Sequence, residues 1–248
     1  MPSPKQTFPL LSRLYHENTK LTTARPFYIT DTAERSVNGS YFDYSGRPRY
    51  RAEQRPALDA PLDRLFDART STSRFAGTIE LDALCGALSR ATRINRARVN
   101  GEILSAQRVY PSPGALYPVE IYAAALDVPG VPVSLLHWNV LEECLEELWP
   151  LGEFSMEHAL PGIQPPTDQP GAVIVMTGFF PRIEWKYGER GYRFALMESA
   201  AIAHNLQLVA TDMDISARWI GGYREDYWDD ALRLDGDQEF SLLAFGIG

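Results

Sequence analysis

The feature that most limits what this chain can fold into is the run from Gly191 to Asp212, GYRFALMESAAIAHNLQLVATD, its longest helical pattern. Apolar side chains fall on nearly every side of the helical wheel, so such a helix must be buried in a core or at a subunit interface. Strand signals surround it. AVIVMTGFF, from Ala172, is strongly β-prone and reads as a central strand. VEIYAAAL reads as a buried strand, and VSLLHWNV with CLEELWP as a hairpin. DISARWIGGY is a short strand ending in a glycine pair, EDYWDDALRL a short amphipathic helix, and FSLLAFGIG a terminal strand. In Thr78–Arg90, Leu81, Leu84, Cys85 and Leu88 recur at helical spacing, with Thr78 as N-cap and Glu80 and Asp82 in the first turn. Helices and strands intermix without a βαβ repeat, which predicts an α+β fold.

A length of 248 residues fits one domain with an extension. Residues 1–60, rich in Pro, Arg and Tyr and poor in periodicity, read as an N-terminal extension wrapped on a core of residues 61–248. Ala91–Gln107 is polar and reads as a mobile loop, and Pro161–Gly171 as a proline-rich connector.

Several function classes drop out on composition. The net charge of −8 opposes non-specific nucleic-acid binding, which needs cations against phosphates. The arginines between Arg90 and Arg108 read first as a solvated loop and second as a local anion contact. No apolar run is long enough to span a membrane, and no secretory pattern opens the chain, so the expected location is cytoplasmic. His16, His137, His158 and His204 share no metal-ligand spacing, and no metal site is expected. Cys85 and Cys144 suit neither a metal site nor a disulfide scaffold, and Cys85 reads as a small core residue. With no nucleophile elbow and no Walker loop, redox chemistry here requires a bound organic cofactor.

Four segments could carry chemistry. ARTSTSRF (68–75) offers guanidiniums and hydroxyls suited to a phosphate, at even odds with a solvated helix-entry loop. PSPGALYP (111–118) combines a hydroxyl at Ser112 with a glycine that lets backbone approach something flat; on spacing alone, a tight turn before a strand is preferred. EWKYGERGYRF (184–194) sets Lys186 beside Tyr187 just before the apolar helix, where burial can turn a lysine into a base; in isolation a charged solvent loop is the simpler reading. Gly221–Gly222 can free two backbone N–H groups for a ligand, although a turn explains them as simply.

In this order the segments resemble the SagB-type dehydrogenases, a branch of the FMN-dependent nitroreductase superfamily. The likeness runs from YHENTK (Tyr15–Lys20) through RTSTSRF, PSPGALYPVEIY, KYGERGYRFALMESAAIAHNL and IGGYREDYWDDALRLD, nearly the whole chain. It implies a nitroreductase-like sandwich, a mixed, mostly antiparallel sheet flanked by helices, in a domain-swapped homodimer with FMN in clefts shared by the subunits. Arg69 and Ser71 match the family's phosphate-binding Arg-x-Ser. Ser112, Gly114 and Ala115 match its flavin-ring loop, and Gly221 and Gly222 its backbone near the hydride-accepting atom. Lys186 and Tyr187 match the pair that azoline oxidases use in catalysis. Departures are Ser73, where arginine is frequent and Arg74 supplies the charge instead, Pro113 in the ring loop, and Ala201 and His204 in the helix.

The expected activity is FMN-dependent oxidation of peptide thiazolines or oxazolines to azoles in natural-product biosynthesis, possible in company with a cyclodehydratase complex. The alternatives are oxidation of another amino-acid-derived or carrier-bound intermediate, or a non-catalytic flavin-fold scaffold.

Overall fold

The computed structural model describes residues 11–20, 41–54, 56–100, 103–163 and 168–248. Much of the proposed extension (1–10, 21–40 and 55) and part of the connector (164–167) lie outside them. In chain order the elements are α1 (Leu11–Asn18), β1 (Arg49–Tyr50), α2 (Leu62–Ala68), α3 (Leu81–Thr92), β2 (Ile94–Asn100), β3 (Ile103–Arg108) and β4 (Val119–Ala125). There follow β5 (Ser134–Asn139), β6 (Cys144–Pro150), α4 (Met156–Ala159), β7 (Ala172–Phe179), α5 (Pro181–Tyr187), α6 (Arg190–Asp212), β8 (Ala217–Ile220), α7 (Glu225–Leu232) and β9 (Glu239–Ile247).

Seven strands form one sheet in the order β1-β6-β5-β4-β7-β9-β8, antiparallel at every pairing. Strand β7 sits inside it, and its β-branched run is buried as expected for a central strand. The period-two alternation divides the core. Val119, Ile121 and Ala123 of β4 join Ile174 and Met176 of β7 against α3 and α6. Tyr122, Ala124, Val173 and Val175 point to the opposite face, toward α4 and α7. Cys85 packs in the first of these layers as a free thiol.

Two local expectations are overturned. Ala91–Gln107, read as a mobile loop, instead completes α3 at Thr92 and supplies most of the antiparallel hairpin β2–β3, register Asn100↔Ile103. Asn100-Gly101 between two runs with β-branched residues is the sequence signal for such a hairpin. Thr78 is not an N-cap: α3 begins at Leu81 with Glu80 in the cap position and no side-chain cap bond, while the Thr78 hydroxyl donates to the Asp127 carbonyl. The first helical turn instead holds Asp82, whose carboxylate accepts the N–H groups of Glu53 and Gln54.

Helix α6 is buried along Ala195, Ser199, Ile202, Ala203, Leu206 and Ala210, yet Met197 is 63 % and Leu196 38 % exposed. Its N-terminal turns grip α1. Arg193 donates to Thr19 Oγ1 (2.6 Å) and the His16 carbonyl (2.7 Å) and lies over the Tyr15 ring, while Arg190 donates to the Thr19 carbonyl (2.6 Å). The Tyr15–Lys20 motif is thus attached to the start of α6. No helix among the described residues is long and apolar enough to cross a membrane.

Candidate active site

The segment between β3 and β4 is conformationally unusual. Gly114 has φ +68°, and two non-glycine residues, Ala115 (φ +52°) and Tyr117 (φ +50°), share the left-handed region. That conformation costs an L-residue roughly 1–2 kcal/mol, so the loop persists only because its surroundings fix it. Tyr117 is held at every polar atom. Its N–H donates to Ser112 Oγ (2.9 Å), its hydroxyl accepts the Arg108 N–H (2.9 Å), and its carbonyl accepts Arg182 Nη1 (2.7 Å). The Arg108 guanidinium also covers its ring at 4.8 Å.

Lys186 and Tyr187 close helix α5, which starts at Pro181 and stops at Gly188, and so stand on a short rigid element, not in a loop. Register brings them to the loop: Val119, first residue of β4, pairs with Gly178 near the end of β7, and α5 begins three residues later. A Cβ placed on Gly114 would lie 2.8 Å from Tyr187 Oη and 3.0 Å from Lys186 Nζ. Only glycine fits this approach. Tyr187 is buried edge-on against Phe194 of α6 (5.0 Å), and Lys186 is half-buried with Nζ 5.3 Å from the Tyr187 ring. Gly114 and the Lys-Tyr pair, 72 positions apart, are therefore neighbours.

Beneath them runs a buried ionic chain. Arg182, one turn before Lys186, pairs with Glu120 Oε1 at 2.6 Å, and Glu120 Oε2 meets His137 Nε2 at 3.0 Å. His137 Nδ1 meets Glu146 Oε2 at 3.2 Å, and Arg49 closes the chain on Glu146 Oε1 at 2.6 Å. Burial pushes both carboxyls up, but Arg182 and His137 for Glu120, and His137, the Tyr44 N–H and Asn139 for Glu146, outweigh it and hold each at about 2. Burial opposes charge on His137 as well, yet the two carboxylates facing its ring nitrogens outweigh it and raise the imidazole above its ordinary value.

The remaining expected residues gather elsewhere. Arg69 caps the C-terminus of α2 and is half-buried, and Ser71 and Arg74 are exposed. Among the described residues neither Arg69 nor Arg74 has an ion-pair partner. The segment is fixed through its backbone: Thr72 N–H donates to the Ala217 carbonyl, Arg218 donates to the Thr72 carbonyl, and Asp168 accepts from both Phe75 N–H and Arg218. A polar cleft of about 240 Å³ opens beside it, lined by Thr70, Thr72, Gln207, Thr211 and Asp214. The carboxylate of Asp214 makes that cleft a poor anion seat, which leaves the Arg69–Arg74 side. Gly221 has no atom within 4 Å of a notional Cβ, whereas Gly222 packs on Gly162 and its carbonyl accepts the Gly162 N–H.

The phosphate-type segment and the Lys-Tyr pair lie at opposite ends of the sheet. Thr72 bonds to Ala217, whose partner Ile247 pairs with Ala172 at the start of β7, while Gly114 and Lys186 lie near Gly178 at its end. At ~3.3 Å per residue this separation is roughly 20 Å along the strands.

Glu198, Arg182, Asp168 and Arg218 were not among the sequence candidates. A charge amid the apolar positions of α6 was the available sign for Glu198; nothing local marks the others.

Residues 93–248 match the nitroreductase family. The microcin B17-processing protein McbC of Escherichia coli is 31 % identical over 136 residues, 53 % of this chain and 50 % of that protein. The nitroreductase-type protein MJ1384 of Methanocaldococcus jannaschii is 26 % identical over 149 residues, 57 % of this chain and 70 % of that protein. The chain thus spans half the length of McbC. Among solved structures, a nitroreductase-type protein of Ralstonia eutropha superposes with a TM-score of 0.65 at 20 % identity, covering 84 % of this chain and 91 % of that one. A chain of the E. coli microcin synthetase McbBCD complex with truncated pro-MccB17 bound superposes with a TM-score of 0.57 at 21 % identity, covering 100 % and 83 %. With more than half of its residues matched and this sheet order, the chain belongs to the nitroreductase family.

Proposed function

We propose that this protein is an FMN-dependent dehydrogenase that oxidises peptide azolines to azoles, working as a homodimer. The observation that carries this reading is the seating of Gly114 against Lys186 Nζ and Tyr187 Oη, which sets an acid–base pair at a bare stretch of backbone. Likeness to a microcin-processing protein, and to a chain from a synthetase complex with its pro-peptide bound, supports a peptide substrate and a place in a multi-enzyme complex. FMN is favoured by a solved relative in complex with FMN, of TM-score 0.52. The residues fit that group: Arg69 and Arg74 have no ionic partner among the described residues, Ser71 is an exposed hydroxyl, and Gly114 and Gly221 carry no side chain.

Bound FMN would supply the acceptor for a hydride. The protein's own share is placement and proton transfer. Lys186, oriented by Tyr187, removes the ring proton, and α5, tied down by Arg182, keeps the ammonium site fixed. Ser112, Gly114 and Ala115 bound the ring, with the Ser112 hydroxyl turned inward to Tyr117. Gly221 and Gly222 present backbone on the far side. Residues 61–248 form the FMN-binding unit and 1–60 its extension. Within one chain the phosphate-type segment and the Lys-Tyr pair stand roughly 20 Å apart along β7, which favours a cleft that takes one from each of two copies. The exposed Leu196 and Met197 of α6 offer apolar surface for the partner.

A positioned base contributes about 10²–10⁴-fold. Lys186→Ala should keep its yellow FMN absorbance and lose at least about 100-fold in turnover of an azoline peptide, read as a two-hydrogen mass loss. Mixing it with Arg69→Ala under subunit exchange should recover about a quarter of wild-type activity, since half of the dimers carry one intact composite site. Wild-type turnover in Lys186→Ala would remove the base, and no recovery on mixing would remove the shared site.

A further inference from the structure

We propose that Glu198 is the positioning residue of the loop facing Lys186 and Tyr187, its carboxyl fastening that loop where it enters β4 at Val119. Glu198 lies in the middle of α6 and is 1 % exposed. Its Oε1 accepts the Val119 N–H at 3.2 Å, at the point where the loop enters β4. At the other end of the loop the Ser112 hydroxyl accepts the Tyr117 N–H, while the second Glu198 oxygen is buried without a hydrogen-bond partner among the described residues. Arg108 on β3 and Arg182 on α5 supply the nearby positive charge, with Tyr110 and Tyr117 between them.

An apolar residue would suit this helix position better on packing alone, because a buried carboxyl is costly unless it satisfies its neighbours. What it satisfies here is a loop that holds three left-handed residues, Gly114, Ala115 and Tyr117, within four positions. Such a conformation needs to be over-determined by its surroundings. Arg108 and Arg182 fix Tyr117 within the loop, whereas Glu198 holds its exit into β4. Removing it frees Gly114 to leave the Lys-Tyr pair. Only the flavin part of the test rests on the function proposed above.

The test uses full-length Glu198→Leu, Glu198→Gln and Ser112→Ala with two readouts. One is the rate of amine acylation of Lys186. Lysine stands only at 5, 20 and 186, so Lys20 serves as the internal control in each digest. The other is the Kd for FMN, from fluorescence quenching on the apoprotein. Glu198→Leu preserves bulk but cannot accept the Val119 N–H. It should label Lys186 at least about threefold faster relative to Lys20 and bind FMN at least about tenfold more weakly. Glu198→Gln retains an acceptor and should stay within about twofold of wild type on both measures. Wild-type labelling in a folded Glu198→Leu protein, or equal losses in the Leu and Gln variants, would overturn the proposal. If Glu198→Leu does not fold, Glu198→Met, close to glutamate in length and offering Val119 no oxygen, takes its place under the same criteria; Ser112→Ala, which removes the acceptor of the Tyr117 N–H, is the positive control for a loosened loop. A wild-type protein that binds no FMN would refute the flavin reading while the labelling arm still judged Glu198.

Discussion

The same carboxyl makes a sharp statement about stability. Complete burial, the largest influence on Glu198, pushes its acid up from 4.5 to about 7, against the pull of Ser112, Arg108 and the Val119 N–H. The unfolded chain therefore gives up this proton before the folded one does. Across the window from 4.5 to about 7 the folded state binds more protons, so this group makes the protein less stable as pH rises. At 1.36 kcal/mol per pH unit, the full penalty is about 3 kcal/mol above neutrality, and most of it accumulates between pH 5 and 8. Glu198→Gln removes the titration and keeps the shape. Urea denaturation of both proteins at pH 5 and pH 8, at one protein concentration, isolates the term because every other group titrates in both. The glutamine variant should gain about 2–3 kcal/mol on the wild type in going from pH 5 to pH 8. A difference that stays flat across that range, or that moves the other way, would show that the carboxyl is solvated or permanently charged and that the burial argument is wrong.

Three further perturbations probe the ionic chain, the loop and the N-terminal contact. His137→Leu strands Glu120 and Glu146 without the ring that bridges them and should cost about 3–5 kcal/mol at pH 7 by urea denaturation. Because both carboxyls are held at about 2, the stabilisation they bring is present above 4.5 and fades toward 2, so the gap between variant and wild type should narrow over that interval. Gly114→Ala places a methyl group 2.8 Å from Tyr187 Oη at φ +68° and should lower stability by about 1–2 kcal/mol while displacing the pair, seen as a lower Tm and altered Lys186 acylation. Arg193→Ala removes both bonds to the end of α1 and the contact with Tyr15, and should speed proteolytic cleavage around residues 11–20 with less than about 1 kcal/mol change in global stability.

What could be read from the sequence was what is periodic. The burial of β7 and the long α6, the β5–β6 hairpin and the glycine pair after β8 follow from alternation, apolar period and turn residues, and the structure has them where expected. The β2–β3 hairpin was hidden because arginine, asparagine and glutamine dilute its alternation and the eye follows charge to a loop; Asn100-Gly101 was the overlooked mark. Thr78 misled because α3 starts only at Leu81, which leaves its hydroxyl outside the first turn, donating to the Asp127 carbonyl. The meeting of Gly114 with Lys186 depends on the register Val119↔Gly178, a long-range pairing that no local window contains. The same is true of Glu120, His137 and Glu146, which look like unrelated polar interruptions of three strands until β4, β5 and β6 are laid side by side.

Helix α6, taken at first as apolar on nearly every side, owes its role to the few polar residues it does carry. Arg190 and Arg193 hold the end of α1, and Glu198 holds the loop before β4. Asn205 donates to the Ala91 carbonyl at the end of α3, Gln207 to the carbonyls of Thr70 and Ala217, and Asp212 accepts the N–H groups of Asp59 and Ala60. Most of these contacts satisfy a backbone group in a loop or at the end of an element, where helix and sheet bonding runs out. Over 23 residues, at ~1.5 Å each, they are spread along roughly 34 Å of one stiff rod. The loop before β4 and the segment 68–75 therefore cannot drift independently, although they lie at opposite ends of β7. Fixing their separation within one chain is also what would let a second copy, docked against the exposed Leu196 and Met197, bring its own loop opposite the first copy's Arg69 in a defined geometry.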